Sequence, residues 1–157
     1  MLEIDIPGWK CLHLEHLVLD VNGTVALDGS LLPGVIDRIG LIRGLLEPHL
    51  LSGDTYGQLE VVAAQLQANA VRISADGSAP ERKAAFIRGL GTKSVVAVGN
   101  GANDAAMLQE AALGIGILGG EGLAVGALQV ADIVVPSILD GLDLLANPLR
   151  LVASLRR

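Results

Sequence analysis

Cysteine, aromatic residues and basic charge are all scarce in this chain, and each shortage excludes something. One cysteine, Cys11, among 157 residues rules out an internal disulfide and a cysteine-rich zinc site. Aromatic residues make up 2% of a chain that is 51% hydrophobic, so the core is aliphatic. Base-stacking platforms for single-stranded nucleic acid are excluded with them. Eleven Lys and Arg against seventeen Asp and Glu leave a net charge of −6, with no basic run. That removes the electrostatic footprint of a nucleic-acid binder. The most apolar stretch, residues 111–131, is interrupted by Glu121 and Gln129 and is rich in glycine. It reads as a buried strand, a turn and a helix, not as a membrane span. The first residues lack the basic and apolar regions of a signal peptide, and a cytoplasmic location is expected.

What is present is an alternation. Apolar, β-branched runs at 2–6, 12–14, 17–20, 49–52, 70–73, 95–98, 113–117 and 133–135 predict strands. Amphipathic stretches at 32–45, 55–67, 80–90, 103–111, 121–128 and 138–145 predict helices between them. Alternation of this kind predicts an α/β fold, a three-layer α/β/α parallel sheet of Rossmann-like design. Residues 2–6 and 12–14, separated by Pro7-Gly8-Trp9, predict an N-terminal hairpin with Trp9 as its packing anchor. Residues 1–157 are expected to form a single domain.

Four features fall at strand ends. The run Leu17-Val18-Leu19 ends on Asp20, followed at once by Asn22-Gly23-Thr24. A buried parallel strand delivers such a carboxylate to the carboxyl edge of a sheet, where open α/β folds bind ligands. It can serve as a nucleophile toward phosphorus, as a metal ligand, or as both. Leu50-Leu51-Ser52-Gly53 ends a strand on a hydroxyl before a helix start, a phosphate-binding corner. Asp54, next in line, reads as a structural helix-start residue. Pro80-Glu81-Arg82-Lys83 sets one lysine in the first turn of a helix, able to neutralise a phosphoryl group and hold Asp20 ionised. Gly99-Asn100-Gly101-Ala102-Asn103-Asp104 is a second polar loop of hard oxygen donors, suited to Mg²⁺. Gly99-x-Gly101 also fits the start of a dinucleotide fingerprint, but Asp104 stands where glycine is needed. His13, His16 and His49 lack ligand spacing and read as isolated structural histidines.

Together these motifs resemble those of the haloacid dehalogenase-like superfamily of phosphohydrolases, over essentially the whole chain. Within it the chain is most similar to the phosphorylation domain of P-type ATPases, in a small form without membrane or nucleotide-binding parts. Asp20-Val21-Asn22-Gly23-Thr24, Ser52-Gly53-Asp54, Pro80-x-x-Lys83 and Gly99-x-Gly101-x-Asn103-Asp104 match the four family motifs in order, and Ala131-Asp132-Ile133-Val134 is also typical. The resemblance implies a Mg²⁺-dependent phosphatase. Asp20 would form an aspartyl-phosphate, Ser52 and the Gly53 amide would bind phosphoryl oxygens beside Gly23 and Thr24, and Lys83 would balance charge. Mg²⁺ would be held by Asp20, the Asn22 carbonyl and the loop carrying Asn100, Asn103 and Asp104.

Two positions depart from the pattern. Where the phosphatases carry a second aspartate that protonates the leaving oxygen, this chain has Asn22. General acid–base help is worth ~10²–10⁴-fold, so turnover is expected to be slow and to favour acyl, aryl or anhydride phosphates. Asn100 replaces a metal-binding aspartate. The pair of substitutions fits either a tuned enzyme or a weak, regulatory phosphate-binding module. Neither residues 21–51 nor 53–82 leave room for a cap domain. An open site suits a phosphorylated macromolecule, or a phosphorylated small molecule if a homo-oligomer closes the site, as in capless 3-deoxy-octulosonate 8-phosphate phosphatases. No nucleic-acid or membrane partner is expected.

Overall fold

A computed structural model describes residues 1–53, 58–73 and 78–157. The chain opens with an antiparallel hairpin, β1 (Leu2–Ile6) and β2 (Lys10–Leu14), paired from Leu2↔Leu14 to Ile6↔Lys10. Trp9 packs against the core from the turn, with Lys10 Nζ 4.1 Å above its ring. β3 (His16–Asp20) follows, then a two-rung hairpin, β4 (Ala26–Leu27) and β5 (Ser30–Leu31), and α1 (Val35–Ile42). Next come β6 (Glu47–Ser52), α2 (Gln58–Leu66), β7 (Asn69–Arg72) and α3 (Ala79–Leu90). β8 (Val95–Gly99), α4 (Ala105–Glu110), β9 (Leu113–Ile117), α5 (Val125–Val130) and β10 (Ile133–Val135) complete the alternation. α6 (Ile138–Ala146) and α7 (Pro148–Leu155) close the described chain.

Six strands form one parallel sheet in the order β10-β9-β8-β3-β6-β7, with β3 in the middle. Central strands read as unbroken apolar runs because both faces are covered. On one face Leu17, Leu19, Leu50, Val96 and Val98 pack with α1, α2, α6, α7 and the hairpin. On the other, Val18, Leu51, Val95 and Ala97 pack with α3, α4 and α5 through Ile87, Met107, Leu108 and Ala127. The three-layer α/β/α prediction therefore holds. Among the described residues, no helix is long and apolar enough to cross a membrane.

Boundaries differ where backbone chemistry overrides pattern. The helix expected at 121–128 starts only at Val125, because Gly119 and Gly122 take positive φ and keep Glu121 in a loop. The helix expected at 32–45 is shortened to α1, with Gly34 at φ +85 before it. Residues 54–57, including Asp54 and the start of the helix expected at 55–67, lie outside the described residues. α7 was not expected. Pro148, at the first helical position, begins a helix after Asn147 instead of ending one.

One correction concerns side chains. His16 and His49 are not isolated: His16 Nδ1 lies 3.2 Å from His49 Nε2. The cause is register. β3 and β6 pair His16 with Glu47 and Val18 with His49, so His16, Glu47 and His49 share one face at the amino ends of two adjacent strands.

Candidate active site

Because side chains alternate along β3, Asp20 shares a face with Val18, the face that α3 covers. Lys83 lies on the buried stripe of α3 with Ala84 and Ile87, in the turn nearest the carboxyl edge of the sheet. Its side chain is 2% exposed. The ammonium donates to Asp20 Oδ1 and to Asp104 Oδ1, each at 2.6 Å. Asp104 is fully buried, and its Oδ2 accepts from the Asn100 and Gly101 amides at 3.0 and 2.9 Å. Asp104 thus ties the loop after β8 to the lysine with both oxygens engaged.

Thr24, also fully buried, sits between the two loops. Its hydroxyl lies 3.3 Å from Asn100 Oδ1 and 3.5 Å from Asp20 Oδ2. Asn100 Nδ2 donates to the Gly122 carbonyl at 3.0 Å, which turns Oδ1 toward Thr24 and Asp20. Gly23 is required here. It has φ +79, and a Cβ would come within 2.6 Å of Asn100 Nδ2 and against the Glu121 carboxylate.

The electrostatics follow from three charges in a dry setting. Burial pushes the Asp20 carboxyl up to about 6; Asp104 adds to the rise, and Lys83 with the Val21 amide opposes it. Burial alone would lower Lys83, but Asp20 and Asp104 outweigh it and hold the ammonium above its ordinary range. At neutral pH the Asp20 carboxylate and the Lys83 ammonium are both charged.

The structure brings Asp20, Thr24, Lys83, Asn100 and Asp104 into direct contact, with Gly23 beneath them. Ser52 is buried at the end of β6, one step beyond Leu51, which pairs with Asp20. Asn22, Gly53 and Asn103 are exposed on the rim, and Asn103 Oδ1 lies over Gly101. Asn22 also borders a cavity of about 210 Å³ between the β4–β5 hairpin and α2. The oxygen donors suit a hard cation: the Asp20 carboxylate and Asn100 Oδ1 face the same hydroxyl from two strand ends. Sequence reasoning missed Glu121, whose carboxylate reaches Gly23 beside Asn100. The available signal was an acidic residue in a glycine-rich loop after a strand, the pattern that singled out Asp104.

Comparison with known proteins bears on the fold and the family. An uncharacterized protein of Methanocaldococcus jannaschii is 47% identical over 64 residues, covering 41% of this chain and 69% of that protein. Among solved structures, 3-deoxy-D-manno-octulosonate 8-phosphate phosphatase from Moraxella catarrhalis, in complex with magnesium, phosphate and sugar acid, superposes with a TM-score of 0.68. It is 14% identical, over 90% of this chain and 93% of that one. A zinc-transporting PIB-type ATPase is 26% identical with a TM-score of 0.64, over 80% of this chain but 20% of the ATPase. The model of the haloacid dehalogenase-like hydrolases matches residues 1–112, a span that includes Asp20, Ser52, Lys83, Asn100 and Asp104. With that match over most of its length, the chain belongs to the haloacid dehalogenase-like hydrolase family.

Proposed function

We propose that this protein is a Mg²⁺-dependent phosphohydrolase that works through an aspartyl-phosphate on Asp20. The observation that carries the reading is the buried Asp20 carboxylate held 2.6 Å from the Lys83 ammonium at the carboxyl edge of the sheet. Asp20, the Asn22 backbone carbonyl and Asn100 Oδ1 are the residues assigned to the metal, with Asp104 and Asn103 supporting their loop. Mg²⁺ bound there supplies charge neutralisation for the phosphoryl group.

In the first step an Asp20 oxygen attacks phosphorus, and the bond to the leaving oxygen breaks. Lys83 balances the charge of the transferred group, while Ser52, the Gly53 amide and the Gly23-Thr24 turn hold its oxygens. Water then attacks the aspartyl-phosphate, releasing phosphate and restoring the carboxylate. Asn22 has no proton to give, so the leaving oxygen departs unassisted. Turnover is slow and favours aryl, acyl or anhydride phosphates. The cavity beside Asn22 suits the leaving group of a small phosphorylated molecule, and the capless rim leaves room for a neighbouring copy to close it.

A second reading rests on the same asparagines. Asp20, Asp104 and Lys83 leave one net negative charge, where two further aspartates would leave three. A phosphate dianion therefore meets less repulsion, as a binding module without turnover requires.

Turnover of an aryl phosphate with Mg²⁺, native protein against Asp20→Asn, separates the two. Loss of activity in the variant by more than about a thousandfold supports the enzyme. Equal background rates in both, with phosphate still bound, overturn it in favour of the binder.

A further inference from the structure

We propose that His16, Glu47 and His49 form a second metal site, for a zinc-class divalent cation, at the amino edge of the sheet. The three ligand atoms make a closed triangle. His16 Nδ1 lies 3.2 Å from His49 Nε2 and 3.4 Å from Glu47 Oε2, and His49 Nε2 lies 3.9 Å from Glu47 Oε2. A triangle with these edges has a centre about 2 Å from all three corners, the bond length of Zn²⁺ to imidazole nitrogen and carboxylate oxygen. No other group of three His, Cys, Asp or Glu among the described residues converges this closely.

The site is built by the ladder that builds the fold. Parallel pairing of β3 with β6 sets His16 against Glu47, and the two-residue period places Glu47 and His49 on one face. β6 also pairs His49 with Asn69 of β7. Asn69 Nδ2 lies 3.3 Å from His49 Nδ1 and 2.8 Å from Glu47 Oε1, so it touches two of the three ligands from behind. Phe86 of α3 stands edge-on to His49, ring centroids 5.5 Å apart, and fixes the imidazole plane. Little conformational freedom remains to be lost on binding.

Lone pairs argue for a cation. With Asn69 donating to Nδ1, His49 carries its proton on Nε2 and donates to His16 Nδ1. His16 Nδ1 then accepts while facing a carboxylate oxygen at 3.4 Å, an acceptor against an acceptor. One divalent ion in place of that proton takes a lone pair from each of the three atoms; the displaced proton moves to His49 Nδ1, and the Asn69 amide turns so that its oxygen accepts it. Two imidazoles and one carboxylate favour Zn²⁺, Co²⁺ or Ni²⁺ over Mg²⁺. The fourth position opens to solvent on the side of Glu47 and His16: Glu47 is 55% exposed, and His16 borders a cleft of about 740 Å³ with Glu15, Arg43 and Gln67. With ligands from β3 and β6 and a supporting contact from β7, the ion would clip three strands together.

The test is titration of the metal-free protein with Co²⁺, followed by visible absorption, and with Zn²⁺, followed by calorimetry and thermal midpoint. It is run on the native chain and on Asp20→Asn, His16→Gln and Glu47→Gln. The expected result is one tight ion with a tetrahedral, nitrogen-containing Co²⁺ spectrum and a raised midpoint. Affinity should be unchanged in Asp20→Asn and weakened at least about tenfold in His16→Gln and in Glu47→Gln. The partly exposed His16 and Glu47 carry the test because replacing buried His49 also disturbs its packing on Phe86. Absence of stoichiometric binding, or binding that survives both His16→Gln and Glu47→Gln, overturns the site. So does binding lost only in Asp20→Asn, which would place the ion at the catalytic edge. None of these outcomes depends on turnover.

Discussion

The two ends of β3 and β6 carry opposite chemistries on the same pair of strands. At the carboxyl edge β3 finishes on Asp20 and β6 on Ser52, beside a buried ammonium and a second carboxylate. At the amino edge the same strands begin with His16, Glu47 and His49, two imidazoles and one carboxylate without a lysine. About 13 Å of strand separates His16 from Asp20. The difference lies in what holds the charges. Lys83 is a permanent countercharge shared by both carboxylates of the carboxyl edge, so the fold is complete there before any ion or phosphate arrives. At the amino edge, among the described residues, no ammonium or guanidinium is paired with Glu47, and protons or a metal fill that role. One edge is organised by its own residues, the other awaits a ligand.

Changing the proton inventory of the carboxyl edge should have the largest effect. Asn22→Asp restores an acid and should raise hydrolysis of alkyl phosphates by ~10²–10⁴-fold, leaving zinc affinity at the amino edge as it was. No gain, with phosphate still bound, favours the binding module. Lys83→Met strands two buried carboxylates and should cost about 3–5 kcal/mol at neutral pH. Urea midpoints should show the loss shrinking toward pH 5, as Asp20 takes up a proton. Metal-free His16→Gln should show no such loss; a comparable one would erase the contrast between the edges.

A pH series sharpens the same point. The Asp20 carboxyl is raised from 3.8 to about 6 in the folded state, so between those values the native protein binds more protons than the unfolded chain. The contribution of this group to stability therefore falls as pH rises from about 4 to about 6, and is level above that. Subtracting the metal-free stability profile of Asp20→Asn should isolate this fall; parallel profiles would refute it. The smallest effect is expected behind the amino edge, where Asn69→Ala should weaken Zn²⁺ binding about tenfold without altering phosphate hydrolysis.

Much of the carboxyl edge was legible in the sequence because its parts are local. Asp20 ends an apolar run, Lys83 follows a helix-starting proline, and Asn100 to Asp104 follow another apolar run. Each signal is complete within a few residues, and the parallel sheet brings the strand ends together without further information. The amino edge was not legible, because His16 and Glu47 meet only through the register of β3 on β6, which neither strand displays alone. Glu121 was missed for a related reason. It was placed in a helix, whereas the positive φ of Gly122 holds it in the loop over Gly23. The β4–β5 hairpin is too short for an alternating pattern to register, and α7 lay hidden behind a proline that starts a helix as readily as it stops one.

The central place of β3 also constrains how the chain acquires its shape. His16 must wait for residue 47 on one flank and residue 95 on the other, so the strand bearing Asp20 gains its second neighbour only through a distant pairing. Such topologies fold slowly, and unpaired strand edges are exposed meanwhile. During synthesis, Asp20 emerges from the ribosome long before Lys83 and Asp104 exist to surround it. A nascent chain stalled before β8 would present the nucleophilic strand as a bare, apolar edge, the segment a chaperone would be expected to grip first.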